Sequence, residues 1–203
     1  MKIFLSTLII TLLVICPMAF ADMVVLFDEN TASEAGGGDF PALFPNHDAD
    51  SVVEISETES FAGSVSVLAT PSQSYNNIIE GWEFPVDDYP YLTFAWKKDG
   101  GTGIMVQFAF DTTWAYRYYS GVNVTDWPGI QLEDTIPEDW MMYTRNLVDD
   151  FGGGWNLTGI ALTPWDGEAG YYDFMILHSD PEPPTAVEAE DKLTTTWGKM
   201  KSN

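Results

Sequence analysis

Short runs of β-branched and aromatic residues, each broken by turn residues, recur along the chain from residue 23 to residue 178. They fall at residues 23–27, 51–55, 64–69, 78–85, 91–97, 103–110, 114–119, 140–147, 156–163 and 171–178. The count is about ten short strands with Gly, Pro, Asp or Asn between nearly all of them. Lys98-Asp99-Gly100-Gly101-Thr102 and Asp166-Gly167-Glu168-Ala169-Gly170 read as hairpin connections. No apolar i, i+3, i+4, i+7 pattern lasts three turns, and residues 147–151 have room for one. The pattern predicts an all-β chain, an antiparallel β-sandwich of the jelly-roll kind. Period two then places Leu92, Phe94 and Trp96 on one side of their strand, and Ile104, Val106, Phe108 and Phe110 on one side of the next. These are the expected core.

The ends of the chain read differently. Lys2 precedes an uncharged apolar run over residues 3–15, and Ala19 and Ala21 stand at the −3 and −1 positions of a cleavage site. Residues 1–21 are therefore expected to be a secretory signal peptide, with no membrane span left after cleavage. Cys16 leaves a lipoprotein as the minor alternative, and Ile15 before it argues against that. The sandwich is expected over residues 22–179. Residues 180–203 form a Pro-rich linker, Asp180-Pro181-Glu182-Pro183-Pro184, and a tail carrying Lys192, Lys199, Lys201 and Trp197. Secretion, to the periplasm, the cell surface or the medium, is the expected localisation. Since Cys16 is the one cysteine, no disulfide can staple the domain and its core must hold it.

Charge narrows the partners. The 31 acidic and 8 basic residues give a net charge of −23. Such a chain repels phosphate backbones and anionic lipid, so nucleic acid is not an expected partner. Aromatic residues at 14% separate it from acidic disordered chains. Enzyme signatures are absent too. His47 and His178 lie far apart without metal-ligand partners, and no G-x-S-x-G or H-E-x-x-H occurs. Glu54-Ile55-Ser56-Glu57-Thr58-Glu59 lacks the E-x-D-x-x-E spacing of β-sandwich glycosidases, and Gln107 is not followed by the histidine that jelly-roll lyases use. No catalytic residue is assigned.

The cations and rings say more. Between residues 22 and 191 the positive side chains are Lys97, Lys98, Arg117 and Arg145. In residues 114–119, Trp114, Tyr116 and Tyr118 alternate with Ala115, Arg117 and Tyr119. If Ile104 and Trp140 point inward, Gln107, Tyr143 and Arg145 point outward. Gln107, Arg117, Tyr119, Tyr143 and Arg145 are thus expected on one exposed sheet face, with Trp114 as a further ligand-binding ring. Sugars suit such a surface, because their rings stack on aromatic planes while forked donors reach hydroxyl pairs. The alternative is that the arginines only neutralise neighbouring acids. Trp127, Trp155 and Trp165, beside Gly or Pro, offer either a second platform or plugs for the sandwich ends.

Asp173 interrupts an apolar strand, where a carboxylate needs a partner. Asp28 and Glu29 close the first strand, and first and last strands often adjoin in jelly rolls. A structural Ca²⁺ held by Asp28, Glu29 and Asp173 is one expectation, and a hydrogen bond from Asp173 to a loop backbone is the other.

Residues 94–98, 103–107 and Arg117-Tyr118-Tyr119 resemble a set of bacterial secreted domains. Residues 140–147, 157–162 and Tyr172-Asp173 are similar to the C-terminal half of galactose-binding-like jelly rolls. The resemblance covers residues 76–178 and implies a domain of the carbohydrate-binding-module type, with a strand-borne Asp near its end and a structural calcium. Asp173 is the residue that sits where that pattern places one. The expected function is a secreted, non-catalytic domain that binds a neutral or weakly charged glycan. A cell-surface structural or protein-interaction domain is the alternative, and a glycan-cleaving enzyme with an unrecognised carboxylate pair is the third reading.

Overall fold

The computed structural model describes residues 22–28, 51–71, 77–79, 81–110, 113–123 and 128–184. The export segment, Glu29, Trp127 and the tail beyond residue 184 lie outside the described residues. In chain order the elements are β1 (Met23–Phe27), β2 (Val53–Ser56), β3 (Ser66–Ala69), β4 (Asn77–Ile78), β5 (Phe84–Pro85), β6 (Tyr91–Lys98) and β7 (Gly103–Phe110). They continue as β8 (Thr113–Gly121), β9 (Ile130–Glu133), β10 (Met141–Asn146), α1 (Leu147–Phe151), β11 (Asn156–Leu157), β12 (Gly159–Pro164) and β13 (Gly170–His178).

Two sheets form the sandwich. One runs β10-β6-β13-β3-β2, with β1 also on β13, and the other runs β4-β12-β7-β8-β9. β11 and β5 make a small two-stranded sheet. β13 pairs along its length with β6, while its opposite edge takes β3 at residues 170–172 and β1 at residues 175–178. First and last strands therefore adjoin. Among the described residues all strand pairings are antiparallel except β8 with β9.

Three elements differ from the sequence expectation. The run at 78–85 divides into β4 and β5, because Gly81 at φ +86° turns the chain and Trp82 N–H donates to Ile79 O at 3.0 Å. The run at 156–163 divides into β11, which pairs with β5, and β12, which pairs with β4 and β7. β9 was not expected; its Gln131 and Glu133 leave only two apolar positions. The single turn at 147–151 is present. The Asn146 side chain caps it by accepting from the Val148 and Asp149 amides at 3.0 Å, and Gly152 at φ +86° ends it.

The core lies where alternation put it. Leu92, Phe94 and Trp96 of β6 and Ile104, Val106 and Phe108 of β7 are fully buried in one cluster, with Phe110 packed at its margin. Phe94 stacks on Tyr118 of β8 at 6.0 Å between centroids, and Phe108 meets the same ring edge-on at 5.6 Å. The Tyr172 hydroxyl crosses from the other sheet and donates to Met105 O at 3.1 Å. Burying side chains of this size contributes about 1.5–3 kcal/mol each.

One end of the sandwich is locked by a buried lysine. Lys98 donates its ammonium hydrogens to the carbonyls of Asp166 and Glu168, and its backbone N–H to Pro137 O at 2.8 Å. The Asp166 carboxylate in turn accepts from Thr102 N–H at 2.6 Å and Thr102 Oγ1 at 3.1 Å. A Cβ at Gly101 would sit 2.3 Å from Asp166 O, so only glycine lets these connections approach so closely. Burial lowers the Lys98 pKa to about 8, against the opposing pull of Asp166, Glu168 and Asp99. At pH 7 the ammonium remains charged. Lys98→Met should leave two carbonyls without their donor and lower stability by about 1–3 kcal/mol in urea denaturation.

Candidate functional site

β8 carries the residues from which a binding face is built. Tyr118 points into the core, so Arg117 and Tyr119 point to the outer side of the five-stranded sheet. The register sets Arg117 opposite Gln107 and Tyr119 opposite Met105 on β7. On the far side of β7, Ala161 and Thr163 of β12 stand opposite Gln107 and Met105. Gln107 donates from Nε2 to Thr163 Oγ1 at 3.0 Å. Gln131 of β9 lies beside Tyr119.

Trp114 joins this side through a bulge. Phe108 pairs with Tyr116 but Phe110 pairs with Thr113, so Trp114 and Ala115 together oppose Ala109. Phe110 rests against Tyr116 and Trp155 on the inner side, at 5.2 and 6.2 Å. Thr113, opposite Phe110, therefore faces inward, and Trp114 beside it faces outward. The expected row of Trp114, Tyr116 and Tyr118 is broken, and Gln107, Trp114, Arg117 and Tyr119 share one face.

That face is not the exposed one expected, because Met105, Ala161 and Thr163 on it are buried and Gln107, Trp114 and Tyr119 are only half-exposed. Arg117 is 1% exposed and Tyr119 half-buried. A Cβ on Gly129 would lie 2.4 Å from Arg117 Cγ and 3.3 Å from Tyr119 Cδ1, so the approach to β9 rests on the Arg117 stem. Burial lowers the Arg117 pKa. Sequence reasoning missed this glycine. Nothing local marks it, because the chain must first recross the sheet to meet β9 in parallel.

Tyr143 and Arg145 do not join the face, which corrects the expectation of one surface for all five polar residues. β10 belongs to the other sheet, where Tyr143 pairs with Phe94 and Arg145 with Leu92. Both side chains point toward the sandwich interior at its open margin. Tyr143 lies 5.7 Å from the Phe94 ring and 5.8 Å from Trp96. Arg145 holds Asp150 of α1 through Nε at 2.9 Å and Nη2 at 2.7 Å, and Tyr118 donates to the same carboxylate at 2.6 Å. The guanidinium also lies over the Tyr118 ring at 5.6 Å. The Asp150 hydrogen bond raises the Arg145 pKa, and burial raises that of Tyr118. This cluster fastens α1 to both sheets. Trp155 is 8% exposed and packs on Tyr116 at 4.9 Å, as a plug would. Trp165 is half-buried.

Asp173 sits where β13 breaks its ladder. Its Oδ2 accepts from the Phe61 and Ala62 amides at 2.7 and 3.1 Å, and its Oδ1 from its neighbour Phe174 at 2.7 Å. Phe174 has φ +51°, a left-handed conformation unusual for an aromatic residue. The loop amides are the backbone partners that a buried carboxylate requires. Asp28 is also buried, and its charge adds to desolvation in raising the Asp173 pKa to about 7. Among the described residues no three His, Cys, Asp or Glu side chains group as metal ligands. Asp28 and Asp173 could supply charge to a cation only if main-chain oxygens completed the six to eight ligands that Ca²⁺ takes.

No protein-family model matches the chain, and no curated protein matches it. Solved structures do. A family 30 carbohydrate-binding module from a cellulosomal cellulase of Clostridium thermocellum is 13% identical, over 63% of this chain and 83% of that one, with a TM-score of 0.42. A variant of the family 29 module CBM29-2 is 10% identical, over 78% and 93%, with a TM-score of 0.43. An exo-beta-agarase is 13% identical, over 80% of this chain and 25% of that one, with a TM-score of 0.38. The chain is thus similar to carbohydrate-binding modules as a β-sandwich. At these values the likeness assigns no ligand.

The Asp173 environment has a measurable consequence. The folded state holds that proton up to about pH 7, whereas the unfolded chain releases it near 3.8. Between these values the native state binds more protons, so the Asp173 contribution to stability falls as pH rises from about 4 to about 7. His178 works the other way, since burial lowers its pKa and stability drops in acid. In chelator-containing buffer, the difference in urea midpoint between wild type and Asp173→Asn should shift in favour of the variant as pH rises through this window.

Proposed function

We propose that the chain is a secreted, non-catalytic domain that binds a neutral or weakly charged glycan on the outer face of its five-stranded sheet. The observation that carries this is the convergence of Gln107, Trp114, Arg117 and Tyr119 on one side of β7 and β8. Two half-buried rings, Trp114 and Tyr119, stand on β8 with the half-buried Gln107 amide on the neighbouring strand, while Arg117, 1% exposed, lies beneath them as part of the support. Rings stack on sugar faces, and a side-chain amide addresses hydroxyls. The net charge of −23 disfavours polyanionic chains. The ring nitrogens of His178 are engaged with Asp180 O at 2.6 Å and Thr93 Oγ1 at 2.8 Å, which supports a role in the fold for this histidine. Export rests on the residue 1–21 pattern.

Affinity electrophoresis through a panel of neutral polysaccharides tests the reading. At least one should retard the wild type, and Trp114→Ala and Tyr119→Ala should each abolish most of the retardation while leaving the fold intact by circular dichroism. Arg145→Ala should keep the retardation and lose stability instead, because its partners are Asp150 and Tyr118. Retardation that survives both ring substitutions, or no retardation by any glycan, overturns the proposal.

A structural Ca²⁺ is a separate proposal, supported by the burial of Asp28 and Asp173 and by the electrostatic influence of one on the other. Excess Ca²⁺ should raise the melting temperature above that in chelator, by mass action worth about 2.7 kcal/mol at one hundred times Kd. Superimposable melts would remove the ion from the account.

A further inference from the structure

β10 is the outermost strand of its sheet, and among the described residues no strand pairs with its far edge. Met141 stands opposite Trp96 and Met142 opposite Ala95, so the two side chains leave β10 on opposite faces. Each is nonetheless 40% exposed, as befits an edge. On the outer side the apolar surface continues. Trp140 packs with Ala95, Phe174 and Ile176, and Phe61, 37% exposed, lies 6.1 Å from both the Trp140 and the Phe174 rings. Natural edge strands usually carry charge or proline against unwanted pairing. The charge on β10, Arg145, is turned to the inner margin and held by Asp150, and its first two residues, Met141 and Met142, carry none. Methionine surfaces also adapt readily to a partner's side chains.

The surroundings are acidic. Glu138 and Asp139 lead into Trp140, and Glu57 and Glu59 precede Phe61. Lys97 of the neighbouring strand is held by Glu59 at 3.0 Å and Asp99 at 3.2 Å. A second copy of this chain does not suit the edge, since each copy carries a charge of −23. We infer that the open edge of β10 accepts an extended, basic polypeptide segment of alternating apolar residues as an added strand, its apolar side chains covering Met142 and Phe61 on the outer side and its cations meeting the acidic rim. Strand addition draws affinity from main-chain hydrogen bonds and specificity from alternate side chains. The surface lies on a different sheet from the glycan-binding face, so the two readings stand or fall separately.

The test uses the whole protein and a fluorescent alternating Lys/Val peptide, read by anisotropy at moderate salt. The wild type should bind it, and an alternating Lys/Pro peptide of equal charge should not bind, because proline cannot complete the ladder. Met142→Lys and Phe61→Ser should each weaken binding by roughly tenfold or more, while Tyr119→Ala should leave it unchanged. Both substituted residues are at the surface, so either variant serves if the other fails to fold. Equal binding of the Lys/Pro peptide, unchanged affinity in the variants, or no binding of the Lys/Val peptide overturns the inference.

Discussion

The stacking of Phe94 on Tyr118 joins the two sheets, and the sidedness of the remaining surface depends on it. Tyr118 is one of four aromatic or cationic residues in a row, Tyr116 to Tyr119, any of which could in principle face either way. Once its ring is committed to Phe94 and Phe108, period two leaves Arg117 and Tyr119 no choice but the outer side. The same commitment aims its hydroxyl at Asp150 and so draws α1 and Arg145 to the margin. A single inter-sheet contact therefore separates the outward-facing residues from those that hold the sandwich together.

Alternation within a strand was legible in the sequence, and alternation is what β6 and β7 obey. Which sheet a strand joins was not. Tyr143 and Arg145 share a side of β10 just as Arg117 and Tyr119 share a side of β8, but β10 pairs with β6 rather than β8. Their common side is consequently turned inward. The bulge at Trp114 and Ala115 was equally invisible, because it is set by how β7 and β8 align and not by either segment alone. Asp173 stood out as a carboxylate in an apolar strand, yet its partners Phe61 and Ala62 act through their amides, which no side-chain pattern reports.

The scarcity of cations gives each one a defined post. Lys97 and Arg145 are held by carboxylates, as expected in so acidic a chain, and the first of these pairs lies near the surface where its net contribution is small. Arg117 is buried, with its stem against Gly129 on a sheet face. The carboxylates left over give the chain a net charge of −23, a charge that opposes the approach of identical copies.

The clamp around Lys98 bears on how such a domain can change over time. The ammonium is gripped by main-chain oxygens of Asp166 and Glu168, and every residue type has such an oxygen. The side chain at position 168 can thus change without removing that oxygen, losing only the charge with which Glu168 helps keep the ammonium protonated, whereas Lys98, Gly101 and the backbone path cannot change. Variation in descendants of this protein should accumulate on the connection's outward side chains, leaving its shape inherited unchanged.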